Sequence, residues 1–218
     1  MNSITNILFD LDGTLTDPKK GITDCIRYAL QELDINTPSS DELIWCIGPP
    51  LKESFEQLLG PGRQDEADSA LGHYRRRYCE IGIYDATVYM GIPELLGNLR
   101  KAGKWLAVAT SKPTIYSKRI IEHFGLVEYF QEIYGSELNG DRSLKEDLIG
   151  YIIDTEGIEP ERTAMIGDRK HDMCGAACHG VLPLGAGWGY GSHQELVMAG
   201  AQAVFSAPLE LLKYVLEQ

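Results

Sequence analysis

The sequence predicts an α/β protein: a mostly parallel, doubly wound sheet, interrupted after its first strand by an all-helical insertion. Three observations carry this. The apolar run Ile7-Leu8-Phe9 leads directly into Asp10-Leu11-Asp12-Gly13-Thr14. Residues from about 16 to 84 show helical patterning and no convincing strand. Beyond Tyr84, short apolar runs alternate with helical stretches, as parallel strands joined by crossover helices do.

Residues 4–9 read as a buried strand. Alternate side chains of a strand share one side, so a strand that frays at Asp12 brings Asp10 and Asp12 out together at its carboxyl end. Gly13 allows the tight turn that follows. Ile22, Cys25, Ile26, Ala29, Leu30 and Leu33 then recur at helical spacing. Pro38-Ser39-Ser40 ends that helix, and residues 41–46 are expected to form a short one, stopped by Gly48-Pro49-Pro50. Residues 51–59 and 63–81 read as two further helices, separated by Gly60-Pro61-Gly62. After the insertion, helices are expected over 92–101, 113–124, 143–154, 173–179 and 209–216. Strands are expected over 105–109, 133–134, 164–166, 181–184 and 203–205. The resulting division is a core of 1–15 and 85–218 around an insertion of 16–84.

The composition narrows the function classes. The chain has 218 residues, 44% hydrophobic and 24% charged, an ordinary globular balance. Its formal net charge is −12 and its pI about 4.8. So acidic a surface has no electrostatic footprint for a nucleic acid polymer or an anionic membrane. A phosphorylated ligand would need a local positive site built from a cation, lysine or helix amino-termini. No apolar run approaches the ~18 residues of a membrane span. The stretch before Asp10 lacks the basic region of a signal peptide. Five cysteines at irregular spacing read as reduced thiols, which places the expected location in the cytoplasm.

Three positions carry the expected chemistry. Asp10 and Asp12 sit at a strand end, where ligands of open α/β sheets bind, and two such acids repel unless a cation or proton intervenes. The strand over 105–109 runs into Thr110-Ser111-Lys112-Pro113, where hydroxyls and backbone amides before a helix make an anion site. The strand over 164–166 runs into Gly167-Asp168-Arg169-Lys170-His171-Asp172, which puts more carboxylates at a strand end. Lys145 opens the helix before that strand.

In these motifs the chain resembles the haloacid dehalogenase superfamily, over essentially its whole length. Asp10 to Thr14 matches the family's D-x-D-G-T motif. Thr110 matches its second motif, Lys145 its third, and Gly167 to Asp172 its G-D-x-x-x-D fourth. The helical insertion is similar to the cap of the phosphoglycolate phosphatase-like branch, which includes 5′-nucleotidases. Ile47-Gly48-Pro49-Pro50-Leu51, Thr110 to Pro113 and Gly187-Trp188-Gly189-Tyr190-Gly191 also resemble that branch.

The resemblance implies a Rossmann-like core with a helical cap and a Mg²⁺-dependent phosphatase. Asp10 would be the nucleophile that forms an aspartyl-phosphate, and Asp12 the acid and then the base. Asp10, the Asp12 main-chain carbonyl and Asp168 would hold the metal, with Asp172 supporting from behind. Thr110, Ser111 and Lys145 would hold the phosphoryl oxygens. The implied substrate is a small soluble phosphorylated metabolite, phosphoglycolate or a nucleoside 5′-monophosphate. Asp12 favours phosphoryl transfer, because displacing halide needs no acid there. It does not separate a hydrolase from a sugar-phosphate mutase. A non-catalytic phosphate-binding protein is the rival from another class, and it has no need of Asp12.

Plainer readings stand beside these. Asp10 and Asp12 could be solvated turn acids, Thr110 a helix cap, and Asp172 a first-turn acid favoured by the helix dipole. Arg142 lies close to Lys145 and competes for its role. His171, Cys174, Cys178 and His179 do not share one helix face, which disfavours zinc, and the small residues there are expected to allow close helix packing. Arg75-Arg76-Arg77 cannot all face one site, since helix neighbours turn by ~100°. The glycine-rich stretch from Gly187 to Ser192 lacks the dinucleotide pattern, and Trp188 and Tyr190 are expected to pack near the site's rim.

Overall fold

The computed structural model describes residues 3–217. Met1, Asn2 and Gln218, which the expected core boundaries include, lie outside the described residues. The first strand, β1 (Asn6–Phe9), has a parallel neighbour on each side. A two-residue strand, β2 (Thr16–Asp17), follows the Asp10–Thr14 turn. The sequence showed no strand there, because two residues are too few to carry a period. Three helices come next: α1 (Lys19–Gln31), α2 (Leu51–Leu59) and α3 (Ala67–Glu80). Residues 41–46 are not the expected helix; turns lead only into a 3-10 turn over Ile44–Cys46. The proline and serine before this stretch and Gly48-Pro49-Pro50 after it leave too few residues to nucleate a helix.

β3 (Thr87–Val88) pairs with β2, and β3 leads into α4 (Ile92–Lys101). The remaining elements alternate. They are β4 (Trp105–Pro113), α5 (Thr114–His123), β5 (Glu132–Ser136), α6 (Lys145–Glu156), β6 (Thr163–Gly167), α7 (Lys170–Cys178), β7 (Leu182–Ala186), α8 (His193–Met198), β8 (Ala203–Phe205) and α9 (Pro208–Leu216). α8 has no counterpart among the sequence expectations. It is six residues long, too short for a helical period to stand out. β4 runs through Pro113, so Thr110, Ser111 and Lys112 belong to the strand rather than following it.

The chain divides into two compact units. One contains the residues up to Asp17 and from Val88 onward; the other is Pro18–Thr87. In the first, six parallel strands lie in the order β5-β4-β1-β6-β7-β8. The middles of the central strands are apolar, as strands covered on both faces require. Ile7, Leu8, Phe9, Ala164, Met165 and Ile166 are all buried. In the second unit, α1 and α2 both pack against α3. α1 buries Ile22, Cys25, Ile26, Ala29 and Leu30 of the expected face, while Leu33, also expected on it, lies half-buried in the turn past the helix end; α2 buries Phe55 and Leu59.

Register sets the location of the chemistry. Phe9 lies opposite Val108 on one side and Ile166 on the other. The next residues along the three central strands therefore emerge together, and the Asp10 amide donates to Ile166 O at 2.9 Å. The carboxyl ends of β1, β4 and β6 converge there.

Candidate active site

At this convergence Asp10, Asp12, Thr110, Lys145, Asp168 and Asp172 are all buried. Lys145 begins α6, and three oxygen atoms lie close to its ammonium. It lies 2.8 Å from Asp10 Oδ1 and 2.6 Å from Asp172 Oδ1, and it donates to Ala109 O at 2.7 Å. Burial alone would lower the Lys145 pKa. The two carboxylates outweigh it, and the pKa is raised. Arg142, the competing cation, pairs with Glu137 and stacks on Tyr151, with its guanidinium 4.5 Å from the ring centre.

Carboxylate oxygens of Asp10, Asp168 and Asp172 lie within 4.8 Å of one another. Burial, reinforced by Asp10 and Asp172, pushes the Asp168 carboxyl well above the ordinary carboxylate range. Burial likewise pushes Asp172 up to about 6 against the pull of Lys145. Lys145 pairs with Asp10 and Asp172, two of the three carboxylates, and the cluster is short of positive charge. A hard divalent cation with oxygen ligands fits that deficit. Asp172 also receives the Arg169 amide at 3.1 Å, so it caps α7 while facing the cluster.

Glycine makes the cluster possible. Gly13 turns with φ +85°, and a Cβ there would lie 2.3 Å from Asp168 Oδ2. Only a residue with no side chain lets β1's exit pass so close to that carboxylate. Thr14 Oγ1 donates to Asp168 Oδ1 at 3.4 Å, and the Tyr190 amide donates to Asp168 Oδ2 at 2.8 Å.

Asp12 stands apart from the three-carboxylate cluster. Its Oδ2 pairs with Lys112, while its Oδ1 is buried with no hydrogen-bond partner among the described residues. Burial raises its pKa in spite of Lys112. Thr110 Oγ1 accepts the Lys112 amide at 3.3 Å, and the Ser111 carbonyl accepts from Ser136 Oγ at 2.9 Å.

Two features of the site carried no role in the sequence. Lys112 stood in view inside Thr110-Ser111-Lys112-Pro113. Once the strand is seen to continue past Ala109, alternation puts Thr110 and Lys112 on the same side. The Gly187–Gly191 segment does more than line a rim: Trp188 Nε1 donates to Thr14 O at 2.9 Å, and Tyr190 reaches Asp168. On α7 the packing falls to Gly175 and Ala176; Cys174 and Cys178, expected among the packing residues, are exposed. A Cβ on Gly175 would lie 2.8 Å from Lys145 Cβ, which accounts for the close approach of α7 and α6.

The comparisons with known proteins agree with this geometry. The profile of the haloacid dehalogenase-like hydrolases matches residues 7–185. The chain belongs to that family. A 5′-nucleotidase of Pseudomonas aeruginosa is 47% identical over 214 residues, covering 97% of this chain and 95% of that one. A predicted phosphatase from Clostridium acetobutylicum has a crystal structure with a TM-score of 0.95 and 41% identity over the full length of both chains. Within the family, this protein is a phosphatase, a phosphoric monoester hydrolase. A tyrosine-protein kinase of Mycobacterium tuberculosis, PtkA, is 40% identical over 185 residues, 85% of this chain and 62% of that one.

Proposed function

We propose that the protein hydrolyses a small soluble phosphomonoester through an aspartyl-phosphate on Asp10, with a nucleoside 5′-monophosphate or phosphoglycolate as substrate. The observation that carries this is Asp12. A buried carboxyl beside the nucleophile, with one oxygen left without a partner, is placed to pass a proton to and from a reacting oxygen. A purely binding protein has no use for it.

In the first step an Asp10 oxygen attacks phosphorus and the bond from phosphorus to the ester oxygen breaks. Asp12 gives its proton to the departing alkoxide. In the second step Asp12 takes a proton from water as that water attacks phosphorus. Inorganic phosphate leaves, and the Asp10 carboxylate is restored. The raised pKa of Asp12 suits the protonated starting state. Thr110, Ser111 and Lys145 hold the phosphoryl oxygens, and Lys145 also keeps Asp10 in place for attack. The Asp10 carboxylate, the Asp12 main-chain carbonyl and Asp168 would hold Mg²⁺, with Asp172 and Lys145 fixing their orientation. The ion would offset the repulsion between phosphate and nucleophile. Residues 18–87 would select the leaving group. The relationship to a 5′-nucleotidase along nearly the whole chain supports the nucleotide substrate.

The test is release of inorganic phosphate with Mg²⁺ from nucleoside 5′-monophosphates, phosphoglycolate, sugar phosphates and pyrophosphate. The first two are expected to turn over fastest. An isomerised sugar phosphate in place of free phosphate would establish a mutase instead. Transfer to tyrosine in place of water would establish a kinase.

A further inference from the structure

Asp168 is approached from one side by Gly187–Gly191 at unusually short range. A Cβ on Gly189 would lie 2.3 Å from Asp168 Cβ and from Gly13 O, and one on Gly191 would lie 1.9 Å from Asp168 O. The segment therefore lies against Asp168 with no room for slack. Tyr190, between those glycines, makes two kinds of contact. Its amide donates to Asp168 Oδ2 at 2.8 Å. Its hydroxyl donates to Asp17, the last residue of β2. A hydroxyl has one proton, so the further bond between the two tyrosines is a donation from Tyr89 to the Tyr190 oxygen. Tyr89 directly follows β3, and its amide donates to Leu15 O at 3.1 Å. One residue thus touches the carboxylate cluster with its backbone and, with its side chain, the last residue of β2 and the residue that follows β3. These are the strands through which the chain leaves for residues 18–87 and returns from them.

We infer, on the metal site proposed above, that Tyr190 is a positioning residue that couples occupancy of Asp168 by a divalent cation to the ordering of β2 and β3. A cation that fixes Asp168 fixes the Tyr190 amide, and with it the hydroxyl that holds Asp17 and Tyr89. Linkage makes the effect mutual: strands held in place favour the cation, and the cation favours strands held in place. The apolar and aromatic body of Tyr190 is not the source of this coupling; the hydroxyl is.

Tyr190→Phe isolates the link, because it keeps the amide on Asp168 and removes only the hydroxyl. The probe is Mg²⁺ alone, without substrate. Two readouts are taken on the full chain: Mg²⁺ affinity by calorimetry, and Mg²⁺-dependent hydrogen exchange at Leu15–Asp17, at Thr87–Tyr89 and at the end of β6. In the native protein Mg²⁺ is expected to slow exchange at all three. In Tyr190→Phe the slowing at the end of β6 persists, the slowing at β2 and β3 disappears, and Mg²⁺ binds about fivefold more weakly. A merely structural hydroxyl would change exchange with and without Mg²⁺ alike.

Equal Mg²⁺-dependent protection of β2 and β3 in both proteins overturns the coupling. So does protection confined to the end of β6 in the native protein; in either case the metal site still stands. Absence of Mg²⁺ binding in the native protein overturns the metal site and the coupling together. If Tyr190→Phe does not fold, Asp17→Ala, which removes the acceptor, and Tyr89→Phe cut the same link from its other end. They are expected to reduce the Mg²⁺-dependent protection in the same way, and unchanged protection in both overturns the coupling.

Discussion

Among the described residues of Pro18–Thr87, the buried polar side chains are Thr23 and Ser54. Each hydroxyl points back into its own helix, to Lys19 O at 2.8 Å and Pro50 O at 3.5 Å. The sheet-bearing unit buries Asp10, Asp12, Lys145, Asp168 and Asp172 at the end of its central strands. Burying a charge is costly unless it is paired, and here three carboxylates cluster where Lys145 pairs with two of them. The interior of the helical unit is packed with apolar and aromatic side chains, and its ion pairs, such as Lys52–Asp68 and Arg63–Glu66, lie toward the surface. The sheet-bearing unit spends stability to keep an electrostatic field in place, which is how a catalytic site differs from a scaffold.

Substitutions can break this contrast, and the largest effect is expected at Asp10. Asp10→Asn should lower phosphate release by more than about 10⁴-fold, since on the proposed mechanism Asp10 alone forms the acyl-phosphate intermediate. Circular dichroism and melting should show the fold retained; normal turnover by that variant would refute the mechanism. Asp12→Asn should cost about 10²–10⁴-fold. The loss should be greatest for alkyl phosphates and least for p-nitrophenyl phosphate, whose leaving group needs no proton. A uniform loss across leaving groups would remove Asp12 from acid catalysis.

The helical unit should respond in a different currency. Phe55 is fully buried and meets Tyr74 edge to face at 6.2 Å. Phe55→Ala should destabilise by about 3–5 kcal/mol. Hydrogen exchange should rise across α1, α2 and α3 but not at β2 and β3, with Mg²⁺ affinity unchanged. A fall in Mg²⁺ affinity would show that the two units do not divide the work as described.

The smallest expected effect is in pH. Asp172 rises to about 6 in the fold from an ordinary 3.8, and Asp168 is raised as well. Between about pH 4 and 6 the native metal-free chain therefore holds protons that the unfolded chain has released. These two groups then make stability fall as pH rises through that window. Mg²⁺ competes with the same protons, so its affinity at pH 5 should be about tenfold below that at pH 7. Calorimetry at the two pH values checks this, and a pH-independent affinity would exclude Asp168 and Asp172 as the groups it meets.

Much of this site was legible in the sequence because it is built from strand ends. Asp10, Asp12, Thr110 and Asp168 each follow or finish an apolar run, and a parallel sheet brings such ends together. Lys145 was legible only through its resemblance to a family motif; nothing local distinguishes a lysine at a helix start from a solvated one. Lys112 was hidden by where β4 was expected to stop: with a strand ending at Ala109, its side chain has no defined side. Tyr190 was hidden for another reason. Its link to Asp168 runs through the backbone amide, which every residue but proline has, and no side-chain pattern reports it. The β2–β3 pair escaped notice because strands of two residues leave no alternation to read.

The placement of β1 has a consequence in time. Asn6 lies opposite Trp105 on one side and Thr163 on the other. As the chain leaves the ribosome, β1 emerges long before either neighbour. Residues 18–87 come out next, and their helices need only one another to pack. Ile7, Leu8 and Phe9 must wait, apolar and unpaired, until β4 and then β6 have been made. Closing so long a loop gives β1 pairing an entropic cost that the local packing of α1, α2 and α3 does not carry. The strand that leads into the proposed nucleophile is thus made well before both of its neighbours and must wait for them to find its place.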